Sequence, residues 1–433
     1  MSQNKPKRNW IAIITMFFIF AMISFVTNMA APFGNIWGFT YDWASTAGML
    51  MNFIAYLFMG IPAGNMLIKY GYKKTALIAL LVGAVGLGVQ LLSGIVGGGV
   101  AICTIGGVVT CLNLFIYLLG ALICGFCVCM LNTVVNPMLN LLGGGGNTGN
   151  QLIQAGGTLN SLSATATPFL AGWLVGTLTK DSFPDVAPLI ITGICIFLAA
   201  FVIICFIRIE EPQGDISKVT YEYSPLAFRH CLLGVIAIFF YVGVEQAIPS
   251  MMNQWISRES FVGAATVAGS LAAIYWLLML VGRFVSTFIS GVVSTRTQMI
   301  VVSAVGICLI VAAICTGEVT TTLNINLGFI KIENAEVPLS CVFIFLTGIC
   351  TSIMWGGIFN LSTEGLGKYT AKASGLFMTM VVGGGVMPFI QDLALRPVLG
   401  YLGSYWLIVA MLAYILYYSL IGCKNVNKDI PVY

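Results

Sequence analysis

Apolar runs long enough to cross a bilayer recur about a dozen times along this chain of 433 residues. Only 8% of the residues are charged, and nearly every charge falls between the runs. A membrane-spanning helix needs roughly 20 apolar residues, and the runs lack the period-two alternation of a membrane β-barrel. The sequence therefore predicts an all-α polytopic membrane protein with twelve transmembrane helices, over residues 10–37, 46–68, 75–94, 112–142, 150–178, 186–208, 230–256, 264–291, 298–316, 338–361, 372–395 and 401–422.

The positive charges lie mainly on one side of this topology. With the N-terminus in the cytoplasm, most of the 19 Lys and Arg residues fall on cytoplasmic segments, which follows the positive-inside rule. We therefore expect a multi-pass protein of a bacterial inner (plasma) membrane, with both termini in the cytoplasm and the lipid bilayer as its surroundings. The net charge of +4 is explained by this topology, and we expect no nucleic acid partner.

The two halves of the chain repeat one pattern. Matching positions pair Pro32 with Pro249, Asn136 with Asn360, and Pro168 with Pro388. Parallel duplications of this kind are known in transporters whose substrate site lies near the membrane midplane, between the halves. We predict two pseudo-symmetric six-helix bundles, residues 1–208 and 230–433, joined by a cytoplasmic linker of residues 209–229.

Amide and aromatic side chains inside the predicted spans are candidates for substrate binding. Asn132, Asn136 and Asn140 recur every four residues and share one helix face. An amide donates and accepts hydrogen bonds, which suits the hydroxyl groups of a neutral polyol. The alternative is interhelical bonding, which we favour for Asn140. The further candidates are Asn28, Gln154, Asn160, Asn253 and Asn360, with Tyr241, Trp276 and Trp355 as rings on which a sugar can stack. The alternative for each ring is ordinary packing or an anchor at the membrane interface.

Two charged residues lie within the predicted spans. Glu245 is the one acid deep in an apolar run, and Arg283 follows Gly282 in the eighth run. Intramembrane acids are costly and usually functional, so Glu245 is our candidate for coupling transport to a cation. The alternative is a structural acid paired with Arg283. Arg283 itself is a candidate for substrate binding, as the partner of a carboxylate on an acidic sugar. The alternative is a counter-ion near a membrane interface.

The remaining reactive residues predict neither catalysis nor metal binding. Cys124, Cys127 and Cys129 have apolar neighbours, and the chain has one histidine, His230, so we interpret the cysteines as packing residues. No nucleotide-binding motif is present. We therefore expect no cofactor and no enzymatic activity. The enlarged outer segments Gly98–Cys111 and Gly317–Val337 are rich in β-branched residues, which predicts short hairpins.

Several motifs resemble one family of sugar carriers. They are Asn132-Thr-Val-Val-Asn136-Pro137 with Leu142-Gly143, Tyr241-Val-Gly-Val-Glu245, and Glu364-Gly-Leu-Gly-Lys-Tyr-Thr370. These resemble the fucose–galactose–glucose:proton symporters of the major facilitator superfamily. The resemblance implies the major facilitator fold and import of a monosaccharide of the fucose or hexose type by alternating access. It also implies symport with a cation, and we expect a monomer.

This chain departs from that family at two acidic positions. The family has a glutamate where this chain has Asn132, and an aspartate where it has Asn28. An amide can hold a sugar hydroxyl but cannot release a proton. The alternatives are therefore a uniporter, or a sodium-coupled carrier of an acidic or amino sugar such as sialic acid. A non-transporting membrane sugar sensor is an alternative from another class, although the tails outside the spans are short.

Overall fold

The computed structural model describes residues 9–41, 47–105, 107–175, 183–206, 222–257, 259, 264–317, 319–328, 330–427 and 429–432. The helices of the first half are α1 (Trp10–Thr40), α2 (Ala47–Ser93), α3 (Leu112–Leu142), α4 (Gly146–Val175) and α5 (Phe183–Phe206). The second half begins with α6 (Arg229–Ser257), α7 (Ala264–Ile289) and α8 (Thr295–Thr316).

Shorter helices complete the second half. They are α9 (Ser340–Thr351), α10 (Met354–Thr363), α11 (Thr370–Met380), α12 (Gly383–Ile390), α13 (Arg396–Gly403) and α14 (Trp406–Tyr417). Two π-helical segments, Gln391–Leu395 and Tyr418–Gly422, follow α12 and α14. Single 3-10 turns lie at Pro225–Ala227 and Gly367–Tyr369.

The helices confirm the predicted twelve-helix fold. Among the described residues, nine helical stretches are long and apolar enough to cross a membrane, or ten if the bent pair of α13 and α14 is one span. Two of the nine are joined helices: α9 with α10, and α11 with α12. One of the nine, α2, has 47 residues, about 70 Å at 1.5 Å per residue, enough for two crossings. Its backbone leaves helical geometry at Gly71, whose φ of 79° suits glycine. The more polar α4, with 30 residues, is long enough for a further crossing.

The tenth predicted span is broken where the sequence suggested a continuous helix. α9 ends at Thr351 and α10 begins at Met354. Ser352 Oγ donates to the carbonyl of Ile349 at 2.6 Å, and such local side-chain bonds weaken a helix interior. The eleventh span is also interrupted, at Val381 and Val382, before a run of three glycines of low helix propensity.

Contacts at the helix ends define two faces of the molecule. The backbone N–H of Cys111, before α3, donates to Tyr41 Oη, just after α1, at 3.2 Å. At the other end of α3, Asn140 Nδ2 donates to Thr363 Oγ1, at the end of α10, at 3.0 Å. We call the face with the starts of α1 and α6 and the ends of α3 and α10 the terminal face. The opposite face is the hairpin face.

The hairpin face carries two β-hairpins. In the first, β1 (Ala101–Ile105) pairs antiparallel with β2 (Val108–Cys111). In the second, β3 (Thr320–Asn326) pairs antiparallel with β4 (Lys331–Pro338). Both predicted hairpins are therefore confirmed.

Helices α1–α5 pack with one another, as do α6–α14, and the two bundles meet mainly where α2 packs on α11 and α4 on α7. Most of the predicted linker, residues 209–221, lies outside the described residues. α6 begins at Arg229, one residue before the predicted boundary. The division into 1–208 and 230–433 stays a prediction.

Candidate functional site

A cavity of ≈ 460 Å³ lies between the two bundles. We call it the central cavity. Its walls come from α1, α2, α3 and α4 on one side and from α6, α7 and α10 on the other. Its polar and aromatic lining includes Asn52, Tyr56, Asn132, Gln154, Asn160, Glu245, Gln246, Trp276, Arg283 and Trp355.

Amides on the first bundle are held in place by hydrogen bonds. Asn132 Nδ2 donates to Tyr56 Oη at 2.9 Å, which joins α3 to α2. Asn160 Nδ2 donates to the carbonyl of Phe20 in α1 at 2.9 Å. Because these bonds fix the side chains before a ligand arrives, the wall is preorganised for binding.

Two indole rings face the cavity from the second bundle. Trp276 in α7 is 37% exposed. Trp355 in α10 is partly buried, and its Nε1 donates to Asn136 Oδ1 of α3 at 2.9 Å. The Trp355 ring lies 6.3 Å from that of Tyr241, centroid to centroid. The wall therefore combines stacking surfaces with a hydrogen bond across the two bundles.

An ion pair lies in the cavity wall. Arg283 Nη2 is 3.3 Å from Glu245 Oε1, and the two side chains are 12% and 14% exposed. Arg283 also donates from Nε to the carbonyl of Ser352 at 3.1 Å and from Nη1 to Ser161 Oγ at 2.8 Å. The pairing that the sequence left as an alternative for Glu245 is thus present, and it leaves the cavity wall with no net charge from these two groups.

The structure brings together seven of the predicted site residues in the cavity lining: Asn132, Gln154, Asn160, Glu245, Trp276, Arg283 and Trp355. Asn136 and Tyr241 lie next to Trp355 and support it. Asn28 belongs to α1, but its side chain lies outside the described residues.

Two predicted binding residues lie elsewhere among the described residues. Asn360 is buried and its Nδ2 donates to Thr295 Oγ1 at 3.1 Å, an interhelical bond between α10 and α8. Asn253 lies near the hairpin-face end of α6 and does not line the central cavity. Asn140, which we interpreted as structural, makes the bond to Thr363 described above. Asn360 lies five residues after the lining residue Trp355 in α10, so its side chain lies on a different face of the helix.

Residues of α2 in the wall were not predicted from the sequence. Asn52, Phe53 and Tyr56 line the cavity. Asn52 and Tyr56 are four residues apart and share a helix face. Two polar side chains on one face of an apolar run were the sequence signal that could have identified Asn52 and Tyr56 as lining residues.

The central cavity is closed toward the terminal face by bonds between the bundles. Asn150 Nδ2 of α4 donates to Ser290 Oγ, just after α7, at 3.1 Å. Ser374 Oγ of α11 donates to the carbonyl of Thr133 in α3 at 3.0 Å. Gln154 Nε2 of α4 donates to the carbonyl of Ile353 at 3.0 Å. Together with the Asn140–Thr363 bond, these contacts form a gate between the cavity and the terminal face.

Glycines allow the closest approach of the bundles at this gate. A Cβ on Gly375 of α11 would lie 2.6 Å from the carbonyl oxygen of Gly60 in α2 and 2.9 Å from Cα of Gly64. A Cβ on Gly60 would overlap Thr379. Small residues at helix crossings permit such packing in membranes, so α2 and α11 meet backbone to backbone.

Two bundles of membrane-spanning helices around a polar cavity that is closed at one face define a polytopic membrane transporter. The family model of the major facilitator superfamily matches residues 11–388. The chain belongs to the major facilitator superfamily, as its motifs indicated.

Individual proteins are similar over nearly the whole chain. The glucose/galactose transporter of Brucella abortus biovar 1 is 25% identical over 428 residues, which cover 96% of this chain and 94% of the relative. The structure of the E. coli fucose:proton symporter FucP has a TM-score of 0.77 at 18% identity, covering 95% of this chain and 97% of that one. The proton:xylose symporter XylE has a TM-score of 0.70 at 10% identity, covering 96% and 97%. The solved structures share the fold.

Proposed function

We propose that this protein carries a neutral monosaccharide of the glucose–galactose type across a bacterial inner membrane, with its termini in the cytoplasm. The observation that carries the proposal is the lining of the central cavity. Fixed amides such as Asn132 and Asn160 face two indoles, and the two charges in the wall neutralise each other. The volume of ≈ 460 Å³ lies in the usual range for small-molecule sites. The Brucella relative, named as a glucose/galactose transporter, supports the same substrate class.

The contacts of Arg283 favour a neutral sugar over an acidic one. Its guanidinium already donates to Glu245, Ser161 and Ser352. A sugar carboxylate would have to displace Glu245, and separating a partly buried pair leaves an uncompensated charge. A neutral sugar needs no such exchange.

Transport would proceed by alternating access. In this conformation the gate toward the terminal face is closed, so the substrate reaches the cavity from the hairpin face, the outside in our topology. Separation of α2 from α11 and of α4 from α7 and α10 would then open the path to the cytoplasm.

Coupling to a proton through Glu245 is our proposal for the energy source. Glu245 lines the cavity and carries a carboxyl group, whereas the positions of the two family acids hold Asn28 and Asn132. Facilitated diffusion is the second candidate, because Glu245 is already paired with Arg283.

A competition experiment tests the substrate class. The purified protein in proteoliposomes would exchange labelled glucose or galactose against an unlabelled panel of fucose, glucose, galactose, N-acetylated sugars, glucuronate and sialic acid. We expect neutral hexoses to compete and acidic sugars to compete weakly. Strongest competition by an acidic sugar, or exchange of no sugar at all, would refute the proposal.

Replacing Asn132 by alanine should weaken sugar binding. A lost hydrogen bond costs about 1 kcal/mol, and more if a sugar hydroxyl is left unpaired, so we expect the KM for exchange to rise about tenfold. The matched control is Asn360→Ala, which removes an amide bonded to Thr295 outside the cavity. It should leave the KM within about twofold while lowering thermal stability. Equal changes of KM in the two variants would place Asn132 outside the binding site.

A further inference from the structure

In the part of the chain that the structure describes, four oxygen atoms accept hydrogen bonds from the guanidinium of Arg283. They are the carbonyl oxygens of Ser352 and Gly157, the hydroxyl oxygen of Ser161, and Oε1 of Glu245, at 3.1, 3.5, 2.8 and 3.3 Å from its nitrogens. We call this set the oxygen cage. The cage consists of one carboxylate, one hydroxyl and two backbone carbonyls. The positively charged guanidinium of Arg283 lies inside it.

The local backbone makes the Ser352 carbonyl available, whereas the Gly157 carbonyl belongs to the continuous helix α4. Ser352 lies in the break between α9 and α10, where the chain is not part of either helix. Gly157 has no side chain, and a Cβ there would lie 3.5 Å from Cδ of Arg283. Carbonyls freed by broken membrane helices coordinate sodium in several transporters. Carboxylate, hydroxyl and carbonyl oxygens are hard ligands, and they suit small cations that do not prefer nitrogen or sulfur ligands.

The oxygen cage belongs to both bundles. Gly157 and Ser161 are in α4 of the first bundle, whereas Glu245 and Ser352 are in the second. A cation in the cage therefore bonds the bundles to each other at the depth of the central cavity. In this protein the cation is the guanidinium of Arg283, a side chain of α7.

We propose that the oxygen cage is a monovalent-cation site that Arg283 itself occupies in this conformation, so that transport needs no sodium. Removing the arginine leaves one uncompensated carboxylate and three neutral oxygens facing the vacated space. Sodium would then restore the charge balance and the bond between the bundles. The transport part of this inference rests on the proposed function, whereas the binding part does not.

The test compares sodium with choline at equal pH and ionic strength. The variants are Arg283→Ala, Arg283→Gln and the double variant Arg283→Ala with Glu245→Gln. The control is Arg296→Ala, because Arg296 also donates to backbone carbonyls, those of Ser419 and Leu420, but outside the cavity. The first readout is the thermal unfolding temperature of the purified protein, and the second is the rate of sugar exchange in proteoliposomes.

We expect wild type and Arg296→Ala each to unfold at the same temperature in sodium and in choline. For each protein, the rates of sugar exchange in the two salts should agree within about twofold. Arg283→Ala and Arg283→Gln should unfold about 2 °C higher in sodium, and exchange should be about tenfold faster in sodium than in choline. The double variant should lose both responses, because the carboxylate is gone.

Three results would overturn the inference. One is sodium-dependent exchange or unfolding by the wild-type protein, which requires no variant to fold. The second is that the Arg283 variants have the same unfolding temperature and the same exchange rate in sodium as in choline. The third is a sodium response that survives in the double variant. If no sugar is exchanged by any form, the unfolding temperatures still decide whether the cage binds sodium, so failure of the proposed function is recognised separately.

Discussion

Replacing Glu245 by glutamine is expected to abolish accumulation of sugar driven by a proton gradient while exchange continues. The amide oxygen can still accept the hydrogen bond from Arg283, so the geometry of the cavity wall is kept. The amide cannot bind and release a proton during the cycle. Within the described ranges, the charged and titratable groups around Glu245 are Arg283 and Tyr275 of α7 and Tyr241 of α6, and none of these three carries a carboxyl group.

The measurement is the ratio of internal to external labelled sugar under an imposed gradient. We expect this ratio to fall to about one in Glu245→Gln, since a carrier without coupling only equilibrates its substrate. Asp392→Asn is the matched control, because Asp392 pairs with Arg396 at 2.6 Å in the π-helical segment and does not line the cavity. It should accumulate sugar like the wild type. Accumulation by Glu245→Gln at the wild-type level would remove Glu245 from the coupling mechanism.

Replacing Gly60 by alanine is expected to open the gate toward the terminal face. The added methyl group would overlap the backbone of Thr379 in α11, so α2 and α11 can no longer pack as they do here. Overpacking of this kind costs about 1–3 kcal/mol. In the proposed cycle α2 and α11 separate in the open state, so we expect the strain to fall on the closed state and to shift the balance between closed and open states by about 5- to 150-fold.

Hydrogen–deuterium exchange of peptides from α2 and α11 measures this shift, and sugar exchange rates report its consequence. We expect faster deuterium uptake in both helices and sugar exchange slowed by about tenfold. Gly88→Ala is the control: it lies in the same helix, and a Cβ at Gly88 would meet nothing within 4 Å. Similar behaviour of Gly60→Ala and Gly88→Ala would contradict the role assigned to the gate.

Hydropathy and charge were enough to predict the fold. The spacing of apolar runs gave twelve helices, and the internal repeat gave two bundles, because burial in lipid imposes length and composition on each span. The β-branched residues of the outer segments predicted both hairpins. The break at Ser352 was not predicted, since it depends on a side-chain bond to Ile349 within an apolar run.

The candidate site was predicted in part. Asn132 and Glu245 were found because a polar group in an apolar span is conspicuous, but which helix face meets the cavity depends on how each helix is rotated within its own bundle. This rotation places Tyr56 of α2 in the wall and turns Asn360 toward Thr295. The four acceptors of Arg283 come from two helices, α4 and α6, and from the break between α9 and α10. Their spacing along the chain does not predict that they lie around one side chain.

Uptake of labelled glucose and galactose into proteoliposomes, with and without an inward proton gradient, tests the central claim most directly. Proton-coupled transport of a neutral sugar predicts internal accumulation above the external concentration when the gradient is present, and equilibration when it is collapsed. Equal, non-accumulating uptake under both conditions would contradict coupling and leave facilitated diffusion. Uptake of neither sugar would contradict the substrate class itself.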